Sequence, residues 1–354
     1  MNFQKSIFFI FLLGLFTQSA FGQLGTSPYT VLGLGENIDR GNPRNIGMGG
    51  VGVSNGSFLY SNVANPALLV HNQYAIFEVS YLGEYKVLSF NGQTQEDAGG
   101  NLLNINFAFP IIRGKYTMSM GLRPPSLVNY NFKEETPLSG DAGRFETTYQ
   151  GSGGLSQAYW GHGVKLAKGI SVGLEMIYNF GSITDEAQSN LYSPTFVPLD
   201  AIDIVSKTTF SDISFRPGIV ISEEIDTAVY VNFGFTYDKN IDFNTEYSRE
   251  IERRSRGNAT VDLDTIGTSS ERVSMPDIFN FGISIEKTLK YSVGVDFAIE
   301  KWGSYRNTLE SSRLSDAWRL SVGGEWTPDA TSVSSYLKRM TYRAGLRYYE
   351  TPWV

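Results

Sequence analysis

The stretch AVYVNFGFTY, residues 228–237, alternates apolar and polar side chains with a period of two. A β-strand points successive side chains to opposite faces, so this pattern predicts a strand with one apolar and one polar face. The apolar face carries Val229, Val231, Phe233, Phe235 and Tyr237, and the other face carries Asn232, Gly234 and Thr236.

The same alternation recurs in eleven segments, and short and long links alternate between them. Charged residues such as Glu175, Asp296 and Arg319 lie on the polar faces. In a soluble β-sandwich the polar face would contact solvent. In a membrane it would have to line a lumen, because a charged side chain that faces lipid is costly in free energy. Short turns on one side and long links on the other are typical of outer-membrane barrels. The sequence therefore predicts an all-β fold, a transmembrane antiparallel β-barrel, with strands at about 74–90, 101–110, 115–132, 148–167, 169–182, 206–222, 226–240, 271–286, 290–302, 313–328 and 338–349.

The number of strands has a consequence for closure. A single-chain barrel closes by pairing its first and last strands in antiparallel fashion, which requires an even number. Eleven strands therefore predict an open seam between the first strand and residues 338–349, or an unusual closure. The long links, on the side away from the N-terminus, are expected at 91–100, 133–147, 183–205, 241–270 and 303–312.

The N-terminus has the features of a secretion signal. Lys5 precedes the apolar run Ile7–Phe16, and Ala20-Phe21-Gly22 supplies small residues before a cleavage site. The run is shorter than the roughly 20 residues that a membrane-spanning helix needs. We expect a signal peptide at residues 1–22, a segment rich in Gly, Asn, Ser and Pro at 23–72, and the barrel at 73–354.

The composition excludes several classes of protein. The chain of 354 residues has no Cys, which excludes disulfides, thiolate metal sites and a cysteine nucleophile. A net charge of −7 argues against nucleic-acid binding, which needs a basic surface. His71 and His162 are too few for a histidine metal site, and no Ser is expected on the apolar face that carries His162. We expect neither enzyme activity nor a metal or cofactor.

Residues 47–53, GMGGVGV, have the G-x-G-x-x-G spacing of dinucleotide sites. That site needs a strand before it and a helix after it, and the flanking residues predict neither. The run, followed by Asn65-Pro66-Ala67, instead resembles the N-terminal signature of FadL-type outer-membrane transporters of hydrophobic compounds. Three further motifs are similar to the Bacteroidetes members of that family: Ser27-Pro28-Tyr29, Gly33-Leu34-Gly35 and Met275-Pro276-Asp277.

The resemblance implies a fourteen-stranded barrel plugged by an N-terminal hatch. About eleven of those strands are expected in this chain, with the last ones absent. The resemblance also implies passage of hydrophobic small molecules, such as long-chain fatty acids, across the outer membrane of a Gram-negative cell. It assigns the hatch to Gly47, Gly49, Gly50, Gly52, Asn65, Pro66 and Ala67.

The third predicted strand contains the sequence GLRPPS at residues 121–126. Proline cannot donate to a β-ladder, so the two prolines either end the strand or mark a bulge. FadL-type barrels have an inward kink in their third strand that opens the wall to the bilayer, and these prolines fall in the matching strand. The resemblance thus implies a lateral opening, for release into the bilayer, at Gly121, Leu122, Arg123, Pro124, Pro125 and Ser126.

The expected partners are outer-membrane lipid, lipopolysaccharide and a hydrophobic ligand. Arginine binds phosphate in bidentate fashion, so lipopolysaccharide is a candidate for the cluster Arg249, Arg253, Arg254 and Arg256. Apolar pockets on the polar wall are expected around Leu82, Leu88, Phe90 and Ile177. Two other functions stay open: a structural or shuttle barrel that binds a cargo protein or a subunit of a secretion system, and a general diffusion porin.

Overall fold

A computed structural model describes residues 27–31, 33–38, 41–90, 93–138, 143–192, 198–255, 260–305 and 314–352. The expected signal peptide, residues 1–22, lies outside the described residues. No helix in the described part of the chain is long and apolar enough to cross a membrane.

In the described residues, fourteen antiparallel strands form one sheet, which confirms the all-β prediction. Short helical segments lie at Pro28–Val31, Pro43–Gly47, Pro66–His71, Trp302–Ser304 and Tyr336–Arg339. The strands are β1 (Glu36–Asn37), β2 (Ile76–Phe90), β3 (Gln93–Ile112), β4 (Tyr116–Pro137), β5 (Arg144–Ala167), β6 (Ile170–Tyr192), β7 (Pro198–Asp226), β8 (Val229–Asp238), β9 (Ile241–Arg254), β10 (Thr260–Met275), β11 (Ile278–Lys287), β12 (Tyr291–Glu300), β13 (Ala317–Trp326) and β14 (Tyr342–Glu350).

The wall has eleven strand positions, as the alternation predicts. The order is β2-β3-β4-β5-β6-β7-β8-β11-β12-β13-β14. The strand β7 pairs with β8 near the turn that joins them, and with β9 farther from that turn. On the other side, β8 pairs with β11 and β9 pairs with β10. Because only two residues separate β8 from β9, and β10 from β11, each pair occupies a single position.

The strands are longer than the alternation predicts. The strands β4 to β7 have 22, 24, 23 and 29 residues, whereas about 9–11 residues cross a bilayer. Much of the expected links 133–147, 183–205 and 241–270 is therefore strand. Outside a bilayer the outer face of a sheet needs no apolar side chains, so a ladder can form there without the apolar alternation that identifies a strand in lipid.

The two faces of the sheet differ as expected. The outward side chains of Phe233, Val293, Val295 and Phe297 are 36–53% exposed, whereas polar residues of the opposite face, such as Asn232, are buried. Val229, expected to face lipid, is buried beside the turn. Within the described residues the sheet is open, because no pairing joins β2 to β14. This agrees with the seam that an odd count predicts.

Candidate functional site

Eight glycines lie on the inner face of eight consecutive wall strands, from β5 to β14. Five of the seven steps between neighbours are direct cross-strand pairs, and the other two are offset by two residues. A Cβ atom on any of them would lie close to residues 48–69. We call this set the glycine belt: Gly163, Gly173, Gly218, Gly234, Gly282, Gly294, Gly323 and Gly345.

The backbone of the N-terminal segment lies directly on the glycine belt. A Cβ atom on Gly323 or Gly345 would collide with the backbone of Met48, and one on Gly234 with the Val53 carbonyl. At the other end, a Cβ atom on Gly173 would collide with the backbone of Pro66. Only glycine allows so close an approach between two backbones. The segment therefore crosses the inner face from β14 to β5.

Polar groups of the wall hold this segment in place. The Asp296 carboxylate on β12 accepts hydrogen bonds from the backbone N–H groups of Gly52 and Val53, at 2.6 and 2.8 Å. Arg44 Nη2 lies 2.7 Å from Glu325 on β13, and Arg343 on β14 contacts the same carboxylate at 3.0 Å. Buried hydrogen bonds to a charged group are among the stronger ones, so these contacts fix the segment.

The expected hatch residues Asn65, Pro66 and Ala67 lie against β5, β6 and β7. The Asn65 side chain accepts from the Ala67 N–H at 3.0 Å and donates to the carbonyls of Val53 and Ile219, at 2.8 and 3.3 Å. Pro66 is the first residue of its helical segment, where a missing N–H costs nothing. Ala67 is fully buried.

The expected hatch glycines lie at the opposite end of the segment, beside β12, β13 and β14. Gly49 and Gly50 have φ angles of +67° and +92°, in the region that favours glycine. A Cβ atom on Gly49 would lie 2.7 Å from the backbone nitrogen of Leu346, and one on Gly47 would lie 3.3 Å from Arg343. Gly52 donates to Asp296.

The ladder between β3 and β4 covers only the half next to their turn. The two strands pair from Ile112 and Tyr116 up to Ile105 and Leu122. Among the described residues, the rest of β3 and the rest of β4 have no pairs with each other. Farther up β4, the strand β1 pairs Glu36 and Asn37 with residues 126–127. The wall thus has a gap between β3 and β4 that is bridged by an N-terminal strand.

The six residues expected at a lateral opening lie where β3 and β4 separate. Leu122 forms the last pair and is 45% exposed on the outer face. Gly121, Arg123 and Ser126 point inward, and a bulge against β5 lies between Arg123 and Ser126, at the two prolines. The Pro125 carbonyl accepts a hydrogen bond from the Ile38 N–H at 2.9 Å.

A buried ion network begins at Arg123. Its Nη2 lies 2.6 Å from Glu175 on β6 and its Nη1 donates to the Val63 carbonyl at 3.3 Å. Arg216 on β7 lies 3.1 Å from the other Glu175 oxygen and 2.5 Å from Asp238 on β8. Removing one charge would leave a buried, uncompensated partner. The network therefore fixes four wall strands and the N-terminal segment relative to one another.

An apolar chamber lies on the inner face above the gap. Ser126 is followed on the same face of β4 by Val128 and Tyr130, which begin the chamber. The residue Leu34 of the N-terminal segment packs into it, beside a cavity of about 210 Å³. The chamber consists of Leu34, Val128, Tyr130, Leu155, Ile183, Phe210, Phe243 and Val273.

The chamber differs from the pockets that the sequence predicts. Ile177 is buried in a separate small cluster with Tyr159 and Val63. Leu82 and Leu88 are half-buried on β2, and the Phe90 side chain lies outside the described part. Chamber residues such as Ile183 and Phe243 lie in stretches expected to be links. The sequence signal that would have pointed to this chamber lies in β4: beyond Ser126, every second residue, Val128 and Tyr130, is apolar and faces inward.

The remaining charged and titratable residues that the sequence singled out have local partners. Arg254 pairs with Asp203 and Glu252 at 3.0 and 2.9 Å, and Arg256 lies outside the described residues. Burial lowers the pKa of His71, whose Nδ1 lies 3.1 Å from the Leu68 carbonyl. His162 Nδ1 lies 3.0 Å from the Tyr116 hydroxyl. No group of three metal-binding side chains occurs in the part that the structure describes.

Several solved structures share this fold. They include a Pseudomonas aeruginosa FadL homologue, with 15% identity over 91% of this chain and 82% of that chain and a TM-score of 0.56. The P. putida toluene transporter TodX has 15% identity over 88% and 84%, with a TM-score of 0.55. The monoaromatic hydrocarbon channel CymD has 13% identity over 89% and 85%, with a TM-score of 0.52.

These likenesses confirm the FadL-type barrel fold that the sequence motifs imply. No curated protein matches the sequence. The BamG protein-family model matches residues 3–354, which include the N-terminal segment, the gap between β3 and β4 and every strand of the wall. The chain therefore belongs to the BamG family.

Proposed function

We propose that this protein is an outer-membrane channel for hydrophobic small molecules. The N-terminal segment acts as its hatch, and the gap between β3 and β4 is a lateral exit into the bilayer. The observation that carries the proposal is the separation of β3 from β4 at Ile105 and Leu122, directly beside the apolar chamber.

The depth of the gap supports a route into lipid. Leu122 lies six residues above Tyr116, which is about 15 Å along the barrel axis for a tilted strand. The apolar band of such a barrel is about 25 Å tall, so the gap opens inside its upper half. Unpaired backbone groups are tolerated there only if protein or water satisfies them. The pairing of β1 with β4 does so at residues 126–127.

The chamber provides the environment that an apolar solute needs. Its side chains come from β4, β5, β6, β7, β9 and β10 and pack around Leu34 of the N-terminal segment, whose place an apolar solute would take. TodX is a toluene transporter and CymD is a monoaromatic hydrocarbon channel. Monoaromatic hydrocarbons and long-chain fatty acids are therefore the first ligands to test.

Straightening β4 tests the lateral exit. Replacing Pro124 and Pro125 by Val restores two backbone donors and should let β4 pair farther along β3, which closes the gap. Uptake of labelled toluene or hexadecanoate by cells that carry the variant should fall toward that of cells without the protein. Heat-modified mobility on a gel reports whether the barrel is still folded.

A matched control uses two prolines at paired positions of the wall that lie away from the gap. Pro110 pairs with Thr117, and Pro217 pairs with Leu174, both away from the gap. Pro110→Val with Pro217→Val should leave uptake unchanged. If the Pro124 and Pro125 variant transports as well as the unaltered protein, release through this gap is wrong and the prolines only interrupt a ladder.

A second candidate is a barrel that binds a protein on its external side. The observation in its favour is β10, which pairs with β9 along one edge and, among the described residues, with no strand along the other. A free edge is a template for strand addition by a partner. Removal of residues 247–269, the part of the β9–β10 hairpin beyond the chamber residues Phe243 and Val273, should then abolish co-purification of a secretion subunit or cargo protein while uptake persists. A diffusion porin is disfavoured, because the segment on the glycine belt is hydrogen-bonded to the wall.

A further inference from the structure

Basic residues flank three of the tight turns that join the wall strands on the N-terminal side. The turn between β3 and β4 has Arg113 and Lys115, and that between β5 and β6 has Lys165 and Lys168. The turn between β11 and β12 is enclosed by Lys287 and Lys290. All are exposed except Lys287, which is half-buried. We call these six residues the basic rim.

The basic rim lacks internal charge partners. In the described part of the chain, no ion pair joins any of its six side chains to a carboxylate. Arginines on the inner wall behave differently: Arg123, Arg216 and Arg343 are all ion-paired. The rim therefore presents uncompensated positive charge at one end of the barrel.

Apolar side chains project beside these charges. Ile112 is 54% exposed, Leu166 is 65% exposed and Leu289 is 53% exposed, each within a residue or two of a rim residue. Turns that face water are usually built from Gly, Asn, Asp and Ser. Large apolar residues at turn tips indicate that the tips contact the boundary of the lipid rather than bulk water.

Leu289 gives independent support for this interpretation. Its φ angle is +60°, a conformation that favours Gly or Asn and strains a leucine. The geometry of the turn therefore does not explain a leucine here. An apolar contact outside the protein does, because the side chain points away from the fold.

The last turn of the wall extends the same surface. Its helical segment Tyr336–Arg339 has an exposed Leu337 beside Lys338 and Arg339. At its base Trp326 and Tyr342 form an exposed ring pair with centroids 6.1 Å apart. Aromatic residues at this position mark the boundary between the hydrocarbon and the headgroups.

The turn between β7 and β8 is the exception. It carries Glu223, Glu224 and Asp226, all exposed. It lies between the turn of β5 and β6 and that of β11 and β12, so it divides the basic surface into two arcs. Each arc consists of two neighbouring basic turns, and a headgroup would contact one arc.

We propose that the basic rim binds the phosphates of anionic phospholipids in the leaflet on the short-turn side. Lysines near an anionic membrane surface are attracted to it, and their long stems allow the ammonium groups to reach the headgroups while apolar neighbours enter the boundary layer. Short turns of such barrels face the periplasm, so this leaflet is the phospholipid leaflet and not the lipopolysaccharide leaflet.

The test is the selection of lipid by the full chain. The protein is folded into vesicles of phosphatidylethanolamine and phosphatidylglycerol, extracted in mild detergent, and its bound lipids are quantified by mass spectrometry. The unaltered protein should enrich phosphatidylglycerol about fivefold over its share in the vesicle. High salt should reduce this enrichment, because it screens exposed charges. No enrichment, or an enrichment that salt does not change, would refute the proposal.

Two sets of variants locate the effect. Replacing Lys165, Lys168, Lys287 and Lys290 by Gln should abolish the enrichment, and replacing them by Arg should preserve it. A control with the same change of charge replaces four other lysines by Gln and should keep the enrichment. These lysines are all exposed on the long-link side: Lys133, Lys207, Lys239 and Lys301. Equal enrichment in the two Gln variants would overturn the assignment to the rim. So would loss of bound lipopolysaccharide, and not of phosphatidylglycerol, from the rim variant when lipopolysaccharide is included in the vesicles.

Leu289→Asn tests the apolar part separately. Asn fits a positive φ angle better than Leu, so the fold should be retained. The enrichment should nevertheless fall, since the side chain no longer enters the boundary layer. An unchanged enrichment in this variant would remove the turn tips from the proposal.

Discussion

At the scale of single residues, the glycines of the wall, which have no side chains, decide where the N-terminal segment lies. The wall has a glycine wherever the backbone of residues 48–69 crosses it, from Gly345 on β14 to Gly163 on β5. Asp296 then satisfies two backbone N–H groups that this close contact removes from water. An ordinary polar lumen residue, such as Ser or Asn, would not leave room for this crossing.

The glycine belt gives a prediction at this scale. In Gly323→Ala the added methyl group collides with the Met48 backbone, which cannot move without leaving the wall. We expect a loss of about 1–3 kcal/mol in the free energy of unfolding, as for other overpacked sites. The measurement is denaturant unfolding in detergent micelles, combined with limited proteolysis of residues 41–72.

Gly83→Ala is the control, because a Cβ atom at Gly83 would have no neighbour within 4 Å. Its stability should stay within about 0.5 kcal/mol of the unaltered protein. If both variants unfold alike, the belt is not a contact surface.

At the scale of elements, the strand β4 changes partner along its length. Near its turn it pairs with β3 and β5, and after the bulge at its prolines it pairs with β1 and β5. The short strand β1 therefore occupies the gap between β3 and β4. Lys86 on β2 adds an ion pair to Glu36 of β1 at 2.9 Å, so the bridge also reaches the strand beyond β3.

A disulfide between β1 and β4 tests whether β1 must leave the gap. Asn37 and Ser126 are direct cross-strand partners, at a separation that a disulfide accepts, and the chain has no other Cys. The variant with Cys at both positions should take up hydrophobic solute only when reduced, because the oxidised bridge holds β1 in place. Uptake is measured before and after addition of a reductant.

The control places the same bridge between Phe297 and Leu320, which are partners in the ladder of β12 and β13. It should transport equally in both redox states. Transport by the oxidised Asn37 and Ser126 variant at the reduced rate would mean that solute leaves by another path.

At the scale of the whole molecule, the N-terminal segment joins two distant parts of an open sheet. Arg44 reaches Glu325 on β13, and Asn65 reaches the Ile219 carbonyl on β7. The segment thus spans the inner face between strands that do not pair with each other. We propose that the same contacts also make the segment a plug of the lumen.

Deletion of residues 44–60 should therefore raise the conductance of the protein in planar lipid bilayers. The deletion removes the ion pair to Glu325 and the donors to Asp296, and it exposes the glycine belt to water. Leu59→Ala is the control, since Leu59 is 56% exposed within the same segment and should leave the conductance unchanged. An unaltered conductance after the deletion would show that the segment plugs nothing.

Much of this architecture could be predicted from the sequence, for a physical reason. Apolar and polar positions alternate along a strand, as in Phe233, Gly234 and Phe235, because one face contacts lipid and the other faces the lumen. This contrast acts on each strand separately, so it is visible in the local sequence. It predicts eleven wall positions, the outward face of Val293, Val295 and Phe297, and the odd count that goes with an open sheet. The motif Asn65-Pro66-Ala67 likewise contains its own cap and helical start.

The sequence alone could not predict where strands cease to pair. Pro124 and Pro125 indicate an interruption in β4, but whether β3 separates there depends on the position of Glu36 and Asn37, some 90 residues earlier. The strands β9 and β10 lie largely in a stretch that the alternation assigned to a link, so the hairpin that they form was found only in the structure. The glycine belt, the ion network at Arg123 and the apolar chamber were decided only by the tertiary structure, because each is assembled from residues that meet across non-adjacent segments.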